Sequence, residues 1–167
     1  SESDFYDLDT QEIPVKKYDL IYICLKDNDD CPKNGWNAIN RNFELAEKCL
    51  SILINEYKLK VLVVGRVNCN LETLYGESIE VLDFLKYHEF QEKLRESKIL
   101  FVPNIFDASP RVITESITKG LSVLMNKNIL CGSKYINYNT GELFNDQHDI
   151  RNALDNLLEK INKIDPQ

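Results

Sequence analysis

Short, continuously apolar segments recur along the chain, and stretches with apolar residues at helical spacing lie between them. The clearest apolar segments are DLIYICL at 19–25, KVLVVG at 60–65 and KILFVPN at 98–104. Strands that are apolar on both faces are typical of parallel sheets covered by helices on both sides. Residues 35–57 carry apolar side chains every three or four positions, as an amphipathic helix does. The pattern predicts an α/β fold: a Rossmann-like, doubly wound parallel sheet with helices on both faces.

The rest of the chain continues this alternation and indicates one domain. Further strands are predicted at 79–85 and 121–126, and further helices at 87–97, 110–119 and 148–163. Residues 1–16 are acidic and poorly periodic, which favours a tail or linker, with an edge strand as the alternative. Residues 17–167 are then a Rossmann-like domain, long enough to bury a core without help from disulfides or metal.

The overall charge and the cysteine pattern exclude several classes of protein. There are 20 basic and 27 acidic residues, for a net charge of −7, which argues against binding to nucleic acid or anionic membranes. Five cysteines without a CxxC pair, and only two histidines, favour reduced thiols in the cytoplasm and no structural zinc. No apolar run reaches the ~18 residues that span a bilayer, so we expect no membrane span.

The loop after the first predicted strand, residues 26–37, has the residues of an anion site. Lys26, Lys33 and the backbone amides near Gly35 could hold an anion, because a helix start offers unpaired N–H donors and a positive dipole end. Solvated lysines are the alternative. The chain has neither GxGxxG nor GxxxxGK[ST], so it lacks a dinucleotide fingerprint and a P-loop.

The same loop offers a second interpretation. Asp27-Asn28-Asp29 directly follows a strand and resembles the DxD of haloacid-dehalogenase-type phosphatases, in which one Asp is the nucleophile and the other the general acid. Lys26 stands between the strand and this pair, and no later acidic pair is suited to hold the required magnesium. A phosphatase-like hydrolase is therefore the weaker alternative.

A helix is well specified after the strand at 98–104. Ser109 is a good N-cap, Pro110 suits the first helical position, and Gly120 suits the residue after the end. This helix start lies beyond the carboxyl ends of the strands, where open α/β sheets bind ligands. Its first backbone amides belong to Arg111, Val112 and Ile113. A phosphate group would be stabilised by these donors.

Two carboxylates flank this helix start. Asp107 lies in the preceding turn and Glu115 in the second turn of the helix, so one ligand could meet both. Ionised carboxylates accept hydrogen bonds from hydroxyl groups, so a diphosphate flanked by two hydroxyl-rich groups would fit. Alternatively, Asp107 bonds its own backbone and Glu115 pairs with Lys119.

The segment at 126–146 reads as a loop. Gly132, Asn139, Gly141 and Asp146 are predicted to form turns, with a secondary role in covering a ligand.

The stretch FVPNIFDASPRVITESITKGLSVLMN, followed by NTGELFND, resembles the donor-binding half of retaining GT-B glycosyltransferases of family four. The resemblance extends from about Tyr18 to Lys160. It implies a glycosyltransferase domain that binds a nucleotide-diphospho-sugar, a UDP- or GDP-sugar, as donor substrate, with no prosthetic group and no metal. The family builds its site between two such domains, so the resemblance also implies an N-terminal acceptor domain in the same polypeptide and a glycan or glycoprotein acceptor.

The resemblance assigns roles to the candidate residues. Glu115 matches the acidic residue that binds the ribose hydroxyls, and Asp107 matches the one that faces the transferred sugar; these are the candidate catalytic residues. Amides around Ser109 to Ile113 match those that contact sugar and diphosphate. Lys26 and Lys33 fall where an Arg and a Lys bind the diphosphate, with Lys33 matched through its nearness to Gly35, as in the family's Lys-Gly.

The chain departs from the family pattern at several positions. Asp107 replaces the usual Glu, Ala108 and Ser109 replace Gly-Phe, Lys26 replaces an Arg, and Ser122 replaces a Pro. The shorter carboxylate at position 107 leaves open a second possibility, a Rossmann-like binding or interaction module without turnover.

Overall fold

The computed structural model describes residues 15–28, 30–106, 110–130 and 141–164. The strands are β1 (Tyr18–Ile23), β2 (Val61–Val64), β3 (Ile79–Leu82), β4 (Ser97–Val102), β5 (Ser122–Asn126) and β6 (Gly141–Phe144). The helices are α1 (Trp36–Asn40), α2 (Phe43–Asn55), α3 (Leu71–Tyr75), α4 (Tyr87–Arg95), α5 (Pro110–Thr118) and α6 (Ile150–Ile164). A 3-10 turn, Gly76–Ser78, precedes β3.

The six strands form one parallel sheet in the order β3-β2-β1-β4-β5-β6. β1 is central: Leu20 lies opposite Val61 of β2 on one side and Ile99 of β4 on the other. The chain builds outward from β1 to β3, returns to the centre at β4, and builds outward again to β6. This order confirms the predicted doubly wound, Rossmann-like sheet.

Alternate strand residues pack on opposite faces of the sheet, because successive side chains of a strand point to opposite sides. Leu20 and Tyr22 belong to the core beneath α2 and α6, which includes Phe43 and Leu154. Ile21 belongs to the core beneath α4 and α5. Both faces are therefore covered by helices, as the continuously apolar strands predicted.

The predicted helix over 35–57 is wrong in one respect, because it is two helices. α1 ends at Asn40 and α2 begins at Phe43. Asn42 between them has φ 53°, in the left-handed region that an α-helix does not use. Asparagine tolerates this conformation better than most residues do.

Two more boundaries differ from the prediction. β3 ends at Leu82 rather than at residue 85, and the exposed Phe84 lies outside it. The short helix α3, Leu71–Tyr75, was not predicted at all.

Of the predicted 1–16 tail, residues 1–14 lie outside the described residues. Lys16 donates its Nζ hydrogen bonds to the carbonyl oxygens of Arg95 (2.7 Å) and Ser97 (3.0 Å).

The loop predicted over 126–146 contains a strand. Gly141 begins β6 instead of forming a turn, so that part of the prediction is wrong. Asp146 is a turn residue as predicted, because its Oδ1 accepts a hydrogen bond from the amide of His148 at 2.8 Å. Gly132 and Asn139 lie outside the described residues. Within the described ranges, no helix combines the length and apolar character that crossing a membrane requires.

Gly141→Ala is expected to destabilise the β5–β6 edge of the sheet. A Cβ atom at this position would lie 1.9 Å from the carbonyl oxygen of Val123, and a backbone atom in a paired strand cannot move aside. We expect the free energy of unfolding in urea to fall by about 1–3 kcal/mol or more. Leu143→Ala, at a partly exposed position of the same strand, is the control. If Gly141→Ala is as stable as the unchanged protein, the close approach of Gly141 to the Val123 carbonyl is contradicted.

Candidate functional site

A small crevice opens at the carboxyl edge of the sheet between β1 and β4. The connection after β1 leads to α2 on one face, and the connection after β4 leads to α5 on the other. Open α/β sheets bind ligands at such a switch point. The crevice measures ≈ 60 Å³, room for about two water-sized groups. Its lining residues are Ile23, Arg41, Leu100, Phe101, Val102, Asn104 and Val112.

Arg41 is the only basic residue among those that line the crevice. It lies in the junction between α1 and α2, immediately before the left-handed Asn42. Its carbonyl oxygen accepts a hydrogen bond from the Tyr22 hydroxyl at 2.8 Å, which ties the junction to β1. The sequence analysis missed Arg41 because the apolar spacing continues through this position, so the junction was read as helix interior.

The end of β4 is fixed by two asparagine side chains. The carbonyl oxygen of Pro103 accepts hydrogen bonds from Asn42 Nδ2 (3.0 Å) and Asn126 Nδ2 (3.1 Å). Asn104, the next residue, is 3% exposed and lines the crevice. Asn104 was also missed, because a polar residue after a strand has no distinguishing pattern of its own.

The loop after β1 does not offer the anion site expected near Gly35. Asp27 Oδ1 accepts the amide of Asn37 at 2.7 Å, and its Oδ2 accepts the amide of Ala38 at 3.2 Å. A Cβ on Gly35 would lie 2.3 Å from Asp27 Oδ2, so the glycine leaves space for this carboxylate. The amides that were expected to bind an anion are therefore already occupied by Asp27.

Asp27 is also paired with Arg66, whose Nη2 lies 2.9 Å from Asp27 Oδ2. Burial acts to raise the pKa of Asp27, but hydrogen bonds from the Asn37 amide, Arg66 and the Ala38 amide outweigh it and lower the pKa. A carboxylate engaged in this way is unavailable as a nucleophile, which argues against the phosphatase-like alternative. Asp29 lies outside the described residues.

Neither predicted lysine lines the crevice. Lys33 Nζ lies 3.2 Å from Glu47 Oε1 on α2, and its side chain is exposed. Lys26 Nζ lies 3.9 Å from Asp83 Oδ2, beyond the end of β3. Both lysines thus lie near acidic residues that do not line the crevice, whereas Arg41 lines it.

Cys31 and Cys69 form a disulfide that joins the loop after β1 to the loop after β2. The expectation of reduced thiols is therefore wrong for this pair. Cys24 and Cys49 are buried free thiols. Burial raises the pKa of both, and the pKa of Cys49 reaches about 12, so these two thiols are unreactive at neutral pH.

Helix α5 begins at Pro110, as predicted, and directs only part of its first turn to the crevice. Val112 lines the crevice, Ile113 is buried in the core, and the Arg111 side chain is exposed. Asp107 and Ser109, the other two residues predicted at this helix start, lie outside the described residues.

The Glu115 carboxylate lies between α5 and α4, and its hydrogen bonds go to residues other than Lys119. Its Oε1 accepts hydrogen bonds from Arg111 Nε (3.0 Å) and the Tyr87 hydroxyl (3.3 Å), and its Oε2 accepts one from Gln91 Nε2 (2.8 Å). Burial acts to raise the pKa of Glu115, but these three hydrogen bonds lower it overall. Glu115 is therefore an ionised acceptor at neutral pH, at the same edge of the sheet as the crevice.

The carboxylate of Glu115 can accept further hydrogen bonds. Its two oxygens have about four lone-pair sites, and three hydrogen bonds are present. Two of the donors, Tyr87 and Arg111, are on exposed side chains, and the Arg111 guanidinium stacks 5.2 Å above the Tyr87 ring. A ligand hydroxyl could replace the Tyr87 hydroxyl without leaving a buried group unsatisfied.

Comparison with known proteins gave relatives by structure only. No protein-family model matches the chain, and no curated protein matches its sequence. Among solved structures, the C-terminal domain of a glycosyl transferase group 1 family protein (LpcC) from Francisella tularensis has a TM-score of 0.59 at 14% identity, with 94% of this chain and 81% of that chain covered. Sucrose-phosphate synthase from Thermosynechococcus elongatus has a TM-score of 0.59 at 16% identity.

A third match is the trehalose-6-phosphate structure from E. coli bound with UDP-2-fluoro glucose, with a TM-score of 0.61 at 11% identity. This chain is covered to 96% in the match to the synthase from T. elongatus and to 93% in the E. coli match, but it spans only 40% and 39% of those proteins. Identities this low establish the fold alone. The chain shares the α/β fold of these structures, one of which is the C-terminal domain of a glycosyl transferase group 1 family protein, and this is the fold that the resemblance implied.

Stability should depend on the ionisation of Asp27. Its pKa is lower in the folded than in the unfolded protein, so the unfolded state takes up its proton first as the pH falls. The stabilisation is therefore complete above the ordinary range of carboxyl pKa values and is lost as the pH falls through the lowered value. We expect urea unfolding between about pH 2 and pH 6 to show a steeper loss of stability for the unchanged protein than for Asp27→Asn. Parallel pH profiles would contradict this.

Removal of the disulfide should destabilise the domain. The bond closes a loop with a sequence separation of 38, for which chain entropy predicts a loss of roughly 3–4 kcal/mol on opening. The measurement is urea unfolding of Cys31→Ser/Cys69→Ser beside the unchanged protein, oxidised and reduced. Reduction should leave the double variant unchanged. Alkylation of both thiols in the folded protein before any reductant is added would contradict the assignment.

Proposed function

We propose that this domain binds a nucleotide-diphospho-sugar, a UDP- or GDP-sugar, at the β1–β4 crevice and is the donor half of a retaining glycosyltransferase. The observation that carries the proposal is that Arg41 and Val112, a residue of the first turn of α5, line the same crevice at the switch point. A guanidinium and the positive end of a helix both favour the negative charge of a diphosphate. The crevice has room for about two phosphate oxygens, with the rest of the donor over the open edge.

The diphosphate is the leaving group of the proposed transfer, so negative charge develops on it in the transition state. Arg41 and the backbone amides of Arg111, Val112 and Ile113 would stabilise that charge without a metal. Arg41 with Asn42 would then take the place of the family's Lys-Gly, because Asn42 adopts a backbone conformation that glycine favours. In this proposal Arg41 takes the diphosphate contact that the resemblance gave to Lys33, and Lys26 keeps the contact that the resemblance gave to it.

Glu115 would bind the ribose hydroxyls. It is ionised and partly buried, and it accepts a hydrogen bond from Gln91 of α4, so the carboxylate is already oriented before a ligand binds. Ribose hydroxyls would take the place of the Tyr87 hydroxyl and use the remaining lone pairs. Asp107 remains the proposed contact to the transferred sugar, on the basis of the family resemblance.

A second domain would complete the site. Exposed apolar side chains lie on the segments that follow β1, β4 and β5, at the carboxyl edge of the sheet. These are Trp36, Ile39, Ile105, Phe106 and Leu130. Backbone hydrogen bonds join the segments, from the Ile105 amide to the Asn40 carbonyl and from the Leu130 amide to the Ile105 carbonyl. This edge would face an N-terminal acceptor domain that brings a glycan or glycoprotein acceptor.

The disulfide also bears on the cellular location. The expectation of a cytoplasmic protein depended on reduced thiols, and the Cys31–Cys69 bond removes that support. Structural disulfides persist mainly in oxidising compartments, so an oxidising compartment is the proposed location.

Calorimetric titration of the purified domain with UDP, GDP and their sugar conjugates tests the proposal. One nucleotide should bind, and Arg41→Ala should weaken it by about tenfold to a hundredfold, because a charge-assisted hydrogen bond to phosphate contributes roughly 1.5–3 kcal/mol. Glu115→Ala should weaken the nucleotide and leave inorganic pyrophosphate unaffected, since the carboxylate contacts only the ribose.

Lys33→Ala is the matched control, because it removes a cation of the same loop region that pairs with Glu47 outside the crevice. It should bind as the unchanged protein does. Absence of nucleotide binding by the unchanged protein, or a larger loss from Lys33→Ala than from Arg41→Ala, would contradict the proposed site. Binding with no transfer from the full-length protein to any acceptor would favour the non-catalytic module.

A further inference from the structure

The guanidinium of Arg66 is buried beneath the junction between α1 and α2. Arg66 follows β2 and is 1% exposed. Its Nη2 donates to Asp27 Oδ2 at 2.9 Å, and its Nε donates to Cys24 Sγ at 3.0 Å. Its Nη1 has no hydrogen-bond partner among the described residues. A full positive charge is thus held in the interior by a single carboxylate.

Arg66 contacts residues that hold both helices of the junction, Asp27 for α1 and Phe43 for α2. Through Asp27 it is linked to the amides of Asn37 and Ala38 in the first turn of α1. Its guanidinium also lies 4.9 Å from the centre of the Phe43 ring, and Phe43 is the first residue of α2. The two junction residues, Arg41 and Asn42, lie between these contacts.

The junction depends on such external contacts. α1 has five residues, too few for a helix to be stable by itself. Asn42 is in the left-handed conformation, which costs free energy for any residue but glycine. The Tyr22 hydroxyl holds the Arg41 carbonyl from the side of β1. Cys24 Sγ lies 3.6 Å from the Asn37 carbonyl oxygen, and the Ile105 amide donates to the Asn40 carbonyl. The contacts of Asp27 add the two hydrogen bonds that fix the first amides of α1.

Stability alone does not require a guanidinium at this position. Apolar residues of similar volume are often as stabilising as a buried ion pair, because the pair must be stripped of water. Arg66 contacts Phe43 directly and α1 through Asp27, and these two contacts flank Arg41, the only basic residue that lines the crevice. This position suggests a role in the crevice. We propose that Arg66 is a positioning residue of the donor site, which acts through Asp27 and Phe43 to hold the Arg41 guanidinium against the diphosphate. This inference rests on the proposed function.

The disulfide ties the same two loops together. Cys31 belongs to the β1–α1 loop that contains Asp27, and Cys69 belongs to the loop after β2 that contains Arg66. The covalent bond and the ion pair therefore act in parallel: the first keeps the loops adjacent, and the second sets the orientation of α1.

The test compares ligands that differ in phosphate content. The unchanged protein, Arg66→Met, Arg41→Ala and the double variant are titrated with UDP, GDP, inorganic pyrophosphate and the matching nucleosides. Arg66→Met should weaken the nucleoside diphosphate and pyrophosphate by about tenfold and leave the nucleoside within about twofold. The double variant should bind pyrophosphate no more weakly than Arg41→Ala alone, because Arg66 acts through Arg41.

Leu157→Ala is the control for general destabilisation. Leu157 is buried on α6 in the core beneath the sheet, so its loss lowers stability without touching the junction. It should leave pyrophosphate affinity unchanged at a temperature where the protein stays folded. Should Arg66→Met fail to fold, Asp27→Asn removes the charged link instead and is expected to show the same selective loss.

The outcomes separate the inference from the proposed function. If the unchanged protein binds neither nucleotide nor pyrophosphate, both are overturned. If it binds them, and Arg66→Met or its substitute weakens nucleoside and diphosphate equally, Arg66 is merely structural and this inference alone is overturned. The same holds if the losses from Arg41→Ala and Arg66→Met add independently.

Discussion

The parallel pairing of β1 with β4 sets where this protein can receive a ligand. Both strands end at the same edge of the sheet, and the chain leaves β1 toward one face and β4 toward the other. Two connections that diverge from neighbouring strands leave a gap between them, whatever their sequences are. The residues that border this gap are therefore the ones best placed to contact a ligand.

The junction between α1 and α2, residues 41 and 42, borders that gap. α1 is a five-residue helix whose first amides are bound by Asp27 of the preceding loop, and Asn42 is in a left-handed conformation. Such a segment is stable only when its surroundings specify it. Here the Tyr22 hydroxyl, Asp27 and the buried Arg66 supply the specification. The result is that Arg41 is the only basic residue among those that line the crevice.

Much of the fold was predictable because continuously apolar strands and amphipathic helices have different periods. Features that depend on distant partners were not predictable. The apolar spacing runs through Arg41 and Asn42 without a break, so one helix was predicted where two exist. β6 has the sequence GELF, which lacks the continuous apolar run of the central strands, and a disulfide with a sequence separation of 38 requires knowledge of which loops are neighbours. Glu115 could be proposed from the sequence because it lies on a helix with clear boundary residues, whereas the proposal of Arg41 in place of Lys33 needed tertiary structure.

The central claim is that a nucleoside diphosphate binds at the β1–β4 crevice. A crystal structure of the protein with UDP or GDP bound tests it most directly, because it locates the phosphorus atoms without any assumption about affinity. The account predicts diphosphate oxygens within hydrogen-bond distance of the Arg41 guanidinium and the first amides of α5, with the ribose at Glu115. The protein also has a larger, ≈ 410 Å³ pocket beside Lys17 and His88. A diphosphate in that pocket, with the crevice empty, would contradict the account.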